Sequence, residues 1–182
     1  MTGILGKAAC ALTLGALMLG TTIQTAQAQT VSEGSQRPFA VKIGAFMPVN
    51  KEVRTASGTF VGAFEADMTI QRFPEKSSVS LLSVGYIARG GLRIVPITIS
   101  QIFRDPNNPS GRDYYYGLGV GLYSARLERE DTSDRVKNLL GGFGVVGLEL
   151  SQSLFVEAKY HIISRYDSKN INGVQVSLGR RF

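Results

Sequence analysis

Cysteine is almost absent from this 182-residue chain. The single one, Cys10, lies early in an uncharged apolar run at 8–23. It lacks the apolar stretch that should precede a lipidated cysteine. Beyond that run there is no thiol, which excludes disulfides, thiolate metal sites and cysteine nucleophiles. Small exported domains usually rely on disulfides, so something else must hold this one together. Histidine occurs once, at His161. Past residue 28 no stretch reaches 18 consecutive apolar residues. That excludes a helical membrane span. It does not exclude membrane-crossing strands, which need only about 9–11 alternating residues each.

The N-terminus reads as an export signal. "MTGILGK" carries one charge, Lys7, before the apolar run, and Ala26-Gln27-Ala28 fits the small-x-small cleavage rule. Cleavage after Ala28 is expected, leaving a short lead at 29–37 and one domain at 38–182. Without Lys7 the chain has 19 Lys and Arg against 14 Asp and Glu, a net charge of +5. This modestly basic balance permits contact with anionic head groups and does not by itself indicate nucleic acid.

The rest of the chain has a hydrophobic period of two, the alternation of strands. In "FAVKIGAFM", Phe39, Val41, Ile43, Ala45 and Met47 share one face, with Lys42 and Gly44 on the other. In "GTFVGAFEADMTI", Phe60, Phe64, Ala66, Met68 and Ile70 alternate with Glu65, Asp67 and Thr69. In "LFVEAKYHI", Leu154, Val156, Ala158, Tyr160 and Ile162 alternate with Phe155, Glu157, Lys159 and His161. Eight such runs are expected, at 38–48, 57–71, 77–89, 92–104, 113–128, 138–150, 153–164 and 172–182. Between them lie "PVNKEVRTA", "RFPEK", "ARGG", "DPNNPSGRD", "EREDTSDRVK", "LSQS" and "RYDSKN", all read as turns. No helix is expected after the export signal.

Eight antiparallel strands in 154 residues suggest a small closed barrel or a sandwich. Many runs reach ten or more residues, whereas soluble strands average about five or six. The face opposite the apolar one carries charges or glycine, as with Gly117, Gly119 and Gly121 in "YYYGLGVGLY". The expected fold is therefore all-β: an eight-stranded antiparallel up-and-down transmembrane β-barrel, lipid-facing on its apolar side. Its narrow lumen would hold small residues and a polar network of Lys42, Glu65, Asp67, Glu149, Glu157, Lys159 and His161.

The chain ends "NINGVQVSLGRRF", with Val174, Val176, Leu178 and Phe182 on one face. With "YYYGLGVGLYSARLE" and "GVVGLELSQSLFVEAKY", this ending resembles the small eight-stranded bacterial outer-membrane barrels, the OmpA/OmpX/OmpW-like group. The resemblance covers roughly 38–182. It implies that Val174, Val176, Leu178 and Phe182 form a C-terminal signal read by the barrel-assembly machinery. Arg180 departs from the apolar pattern and would snorkel toward the head groups. No appended peptidoglycan-binding domain is expected after Phe182. With both ends in the periplasm, "PVNKEVRTA", "ARGG", "EREDTSDRVK" and "RYDSKN" would face outward. "ARGG" is too short, and the periplasmic "DPNNPSGRD" too long, for the usual pattern of short periplasmic turns.

Few residues suggest chemistry. "GFGVVG" at 142–147 matches a dinucleotide fingerprint but lacks the following helix. "RGG" at 89–91 reads as a hairpin turn. His161 and Ser164 are three apart, hence on opposite faces of a regular strand. A lipid A deacylase-like barrel would place its His and Ser two apart. Glu65 and Asp67 read as partners of lumen cations. Lys51, Arg54, Arg89, Arg93, Arg135, Lys137, Arg165 and Lys169 form a charged outer rim open to lipopolysaccharide phosphates.

The expectation is a non-enzymatic cell outer-membrane protein with a structural or surface-interaction role. No catalytic residue, metal site or cofactor is assigned. Its expected partners are outer-membrane lipids, lipopolysaccharide and, during biogenesis, the assembly machinery. A monomer with no nucleic-acid partner is expected. Three alternatives remain: a narrow conduit for small apolar solutes, a lipid A-modifying acyl hydrolase, and a soluble lipocalin-like barrel.

Overall fold

The computed structural model describes residues 37–104, 114–127, 135–166 and 169–182. The export signal, most of the lead, "DPNNPSGRD" and most of "EREDTSDRVK" lie outside the described residues. Eight strands form one closed antiparallel barrel in sequential order. They are β1 (Phe39–Pro48), β2 (Val61–Phe73), β3 (Ser78–Arg89), β4 (Leu92–Arg104), β5 (Tyr114–Leu127), β6 (Lys137–Glu149), β7 (Leu154–Ile163) and β8 (Gly173–Arg181). β1 pairs with β8 from Ala40 opposite Arg181 to Pro48 opposite Gly173. Closure removes the sheet edge, so each strand bonds to a neighbour on both sides. The chain end is tied in as well: the Phe182 amide donates to the Phe39 carbonyl at 2.8 Å.

Alternation decides which face is outside. Ile43, Leu118 and Leu140 are 69%, 71% and 71% exposed, whereas Lys42 and Glu65 are 1% and 3% exposed. The barrel is thus apolar outside and holds its ion pairs within, whereas a soluble ligand-binding barrel turns its polar face outward.

The β1–β2 connection departs from expectation. "NKEVRTA" is not a simple turn: Lys51–Ser57 forms a helix, α1, and β2 starts at Val61 rather than at 57. Asn50 caps the helix, its side chain accepting from the Glu52 amide at 2.8 Å. Val53 faces inward with no exposed surface and packs in a cluster with Phe46, Val61, Ile87, Leu92 and Ile94. Seven residues span only about two turns, too few for a 3.6 period to be read from sequence.

The helix also accounts for the two-residue β3–β4 turn. Gly90 takes a left-handed φ of 56°, and a Cβ there would lie 2.9 Å from the Ala56 carbonyl oxygen. The Gly91 amide donates to that same carbonyl, and Arg89 donates to the Phe60 carbonyl at 2.7 Å. The turn is short because α1 packs over it. At the opposite end β2 and β3 are joined by a 3₁₀ turn at Pro74–Lys76.

Candidate functional site

The inner faces of the strands bring together most of the lumen residues named from the sequence. Lys42 of β1 pairs with Glu65, with Asp67 Oδ2 at 2.7 Å and with Glu157 Oε1 at 3.1 Å. Lys159 of β7 pairs with the same Glu65 and with Glu157 Oε1 at 3.3 Å. The Tyr115 hydroxyl donates to Glu157 Oε2 at 3.1 Å. One step along β7, the His161 Nδ1 lies 3.1 Å from the Tyr123 hydroxyl. The imidazole is enclosed by the rings of Phe46, Tyr123 and Phe143, with centroids 5.6–5.9 Å away.

Glu149 lies elsewhere. It sits at the end of the lumen near the chain terminus, where Arg104 Nη2 and Arg181 Nη1 both approach its Oε1, at 2.7 and 2.9 Å. The two groups balance. The central cluster has three carboxylates and two ammonium groups, whereas the rim group has two guanidinium groups and one carboxylate. Buried charge is tolerated only when so compensated.

The expectation of a lumen lined only by charge and small residues is incomplete. Two apolar clusters flank the ionic layer. One, beneath α1, includes Tyr123, Leu139, Ile163 and Ile171, and the other includes Ile102, Tyr115, Phe143, Val145 and Phe155. Each of five inward aromatics lies over a glycine. Cβ atoms added at Gly147, Gly119 and Gly179 would fall 2.0–2.4 Å from ring atoms of Tyr115, Phe143 and Phe155, their direct cross-strand partners. Gly173 and Gly141 serve Phe46 and Tyr123 from diagonal positions, at 2.3 and 2.7 Å. The signal was in the sequence as inward glycines. Their partners become known only from the strand register.

Among the described residues the middle of the lumen is closely packed. Lys42, Phe46, Val53, Tyr123 and His161 have at most 1% of their surface exposed, so almost no room for water adjoins them. Arg181 closes the terminal end, its guanidinium 4.4 Å from the Phe155 ring centre.

The remaining candidates fall as follows. His161 is buried in the lumen and Ser164 is exposed, so the two face opposite sides of the wall. Glu65 and Asp67 converge on Lys42. Among the described residues no three His, Cys, Asp or Glu side chains are placed to hold a metal ion. "GFGVVG" runs within β6 and Arg89–Gly91 forms the β3–β4 turn. Val176, Leu178 and Phe182 project outward, Val174 is half-buried on that face, and the Arg180 guanidinium stacks 5.3 Å from the Phe182 ring centre. Lys51, Arg54, Arg89, Arg93, Arg135 and Arg165 are exposed at the α1 end. Lys169 pairs with Glu52 at 2.9 Å and Lys137 lies over the Tyr166 ring.

No protein-family model matches the sequence, and no curated protein does. Solved structures do. Neisserial surface protein A matches with a TM-score of 0.56 and 14% identity, over 79% of this chain and 94% of that one. Ail, the attachment invasion locus protein of Yersinia pestis, matches with a TM-score of 0.50 and 14% identity, over 79% and 97%. A second Ail structure, in complex with the heparin analogue sucrose octasulfate, matches with a TM-score of 0.50 and 13% identity over the same shares. The fold is that of the small eight-stranded outer-membrane barrels.

Proposed function

We propose that this chain is a sealed outer-membrane β-barrel of the bacterial envelope, exported through cleavage of residues 1–28, with a structural or surface-interaction role and no catalytic activity. The observation that carries this reading is the inversion of the barrel: a continuous apolar exterior around an ion-paired, water-poor lumen. Such a surface is stable in hydrocarbon and a liability in water. It argues against a lipocalin-like barrel, whose apolar face would be inside. The close packing around Lys42, Tyr123 and His161 argues against a solute conduit, and the separation of His161 from Ser164 by the wall argues against a lipid A hydrolase.

Surface interaction is supported by the exposed cations at the α1 end. A barrel of this fold, Ail, has been seen with a polysulfated heparin analogue. Anionic head groups or glycans are the chemistry such a rim would meet in a membrane.

The test is density-gradient fractionation of expressing cells, with fractions run unboiled and boiled on a gel. Outer-membrane density with a shift in migration on boiling is the expected result. A soluble band that migrates identically before and after boiling would overturn the proposal.

A further inference from the structure

Outside the barrel, the wall is not uniformly ridged. A groove of about 440 Å³ opens on it, lined by Leu118, Gly144, Val146, Ala158, Tyr160 and Val174. The volume lies in the range of sites for small apolar ligands, roughly 300–1,000 Å³. Lys159 contributes only backbone there, since its ammonium is held in the lumen by Glu65 and Glu157. Leu118, Gly144, Tyr160 and Val174 form a single cross-strand row over β5, β6, β7 and β8. Glycine makes the low point of that row, and Ala158 extends it on the adjoining row.

Gly144 is unlike the inward glycines. Those are hemmed in, five by aromatic rings and others, such as Gly44 and Gly121, by neighbouring backbone. A Cβ at Gly144 would meet only Leu118 Cδ2, at an ordinary 3.8 Å, and its φ is not left-handed. Neither packing within this chain nor backbone geometry asks for glycine, which weakens a strand interior and often marks a close approach from outside. What approaches must come from the medium the wall faces, and around this groove that medium is set by exposed Leu118, Val120, Leu140, Val146 and Ile162.

We infer that this groove seats an acyl chain of a glycerophospholipid in the leaflet nearest the chain termini. The inference rests on the outer-membrane reading above. Leu118 and Ala158 are each four residues from the terminal-side ends of their strands, Tyr114 and Leu154. That is roughly 13 Å along the strand, or roughly 10 Å of height at the usual barrel tilt, which puts the lower end of the groove within the near half of a hydrocarbon core about 30 Å thick, while Tyr160 and Val174, farther from Leu154 and Arg181, reach its middle. The groove walls, Leu118 and Val146 on one side and Tyr160 on the other, confine a chain laterally where the rest of the wall only touches it.

The chain contains no tryptophan, so one introduced residue reports alone. Leu118→Trp barrels are placed in phosphatidylethanolamine/phosphatidylglycerol vesicles containing a rising fraction of phospholipid with brominated chains, which quench on contact. Ile43→Trp is the control, four residues above Phe39 on the strand farthest from β5, where its direct cross-strand neighbours are the bulky Phe64 and Leu178. The expected result is a relative association constant at Leu118→Trp about threefold or more above the control, equivalent to roughly 0.6 kcal/mol. Adding Gly144→Leu, which fills open space, should return it to the control value while the boiling shift is retained. Identical quenching at both walls, or no effect of Gly144→Leu in a folded barrel, would overturn the inference. So would relief of quenching by lipid A in preference to unbrominated phospholipid, which would assign the groove to the opposite leaflet. Failure of either barrel to insert, read as loss of the boiling shift, would count instead against the outer-membrane reading.

Discussion

Lys42 on the first strand and Glu157 on the seventh share a hydrogen bond of 3.1 Å across 115 positions of sequence. They are not on neighbouring strands. The bond crosses the lumen, so it exists only once β8 has closed the barrel against β1. The ionic layer is therefore a product of closure and a brace upon it.

Lys42→Met should be the most damaging single change in the lumen. It leaves Glu65, Asp67 and Glu157 without their shared ammonium group, while all three stay buried. Removing one partner of a buried ion pair costs about 3–5 kcal/mol. Urea titration in lipid vesicles, read by the boiling-sensitive gel shift, should show a midpoint well below that of the parent. The double change Lys42→Met with Asp67→Leu should recover part of the loss, because it removes one of the stranded charges.

Glycine substitutions should separate by face. Gly179→Ala puts a methyl group 2.2 Å from Phe155 Cζ, and overpacking of this kind costs about 1–3 kcal/mol. Phe155→Leu in the same chain should relieve it. Gly144→Ala meets no such obstacle and should be neutral or stabilising by up to about 1 kcal/mol. The same titration distinguishes them, and equal destabilisation at both sites would contradict the packing described here.

The α1 cap should be measurable through its buried contact. Val53→Asn places an amide among Phe46, Val61 and Ile94, with an expected cost of about 1–3 kcal/mol if its polar atoms find no partner. Asn50→Ala removes the cap to Glu52 and should cost about 1 kcal/mol. Proteolysis between β1 and β2 should accelerate in both variants, since the local opening energy falls.

A planar bilayer containing the purified barrel should carry no steady ohmic current. The lumen holds an apolar layer under α1, an ion-paired layer and an aromatic layer closed by Arg181. Stepwise current of constant unit size would show that this packing opens and would restore the conduit reading.

Much of this molecule follows from its sequence. A period of two repeated eight times set the strand count and placed the strands within a few residues. Alternation is a local property, and it also assigned Lys42, Glu65, Asp67, Glu157, Lys159 and His161 to one face. The apolar ending at Val176, Leu178 and Phe182 followed for the same reason. What only the tertiary structure decided depends on residues brought together from distant strands. Which carboxylate meets which ammonium depends on strand register and barrel closure, and these moved Glu149 out of the central cluster to the Arg104–Arg181 rim. The pairing of Gly147 with Tyr115 and of Gly179 with Phe155 has the same origin. It explains glycines that, strand by strand, read only as small residues. Helix α1 could not be read because Val53 makes its apolar contacts with other strands rather than within a periodic stripe of its own. The groove at Gly144 was hidden for the converse reason: its glycine answers to nothing inside the chain, only to what lies against the outer wall.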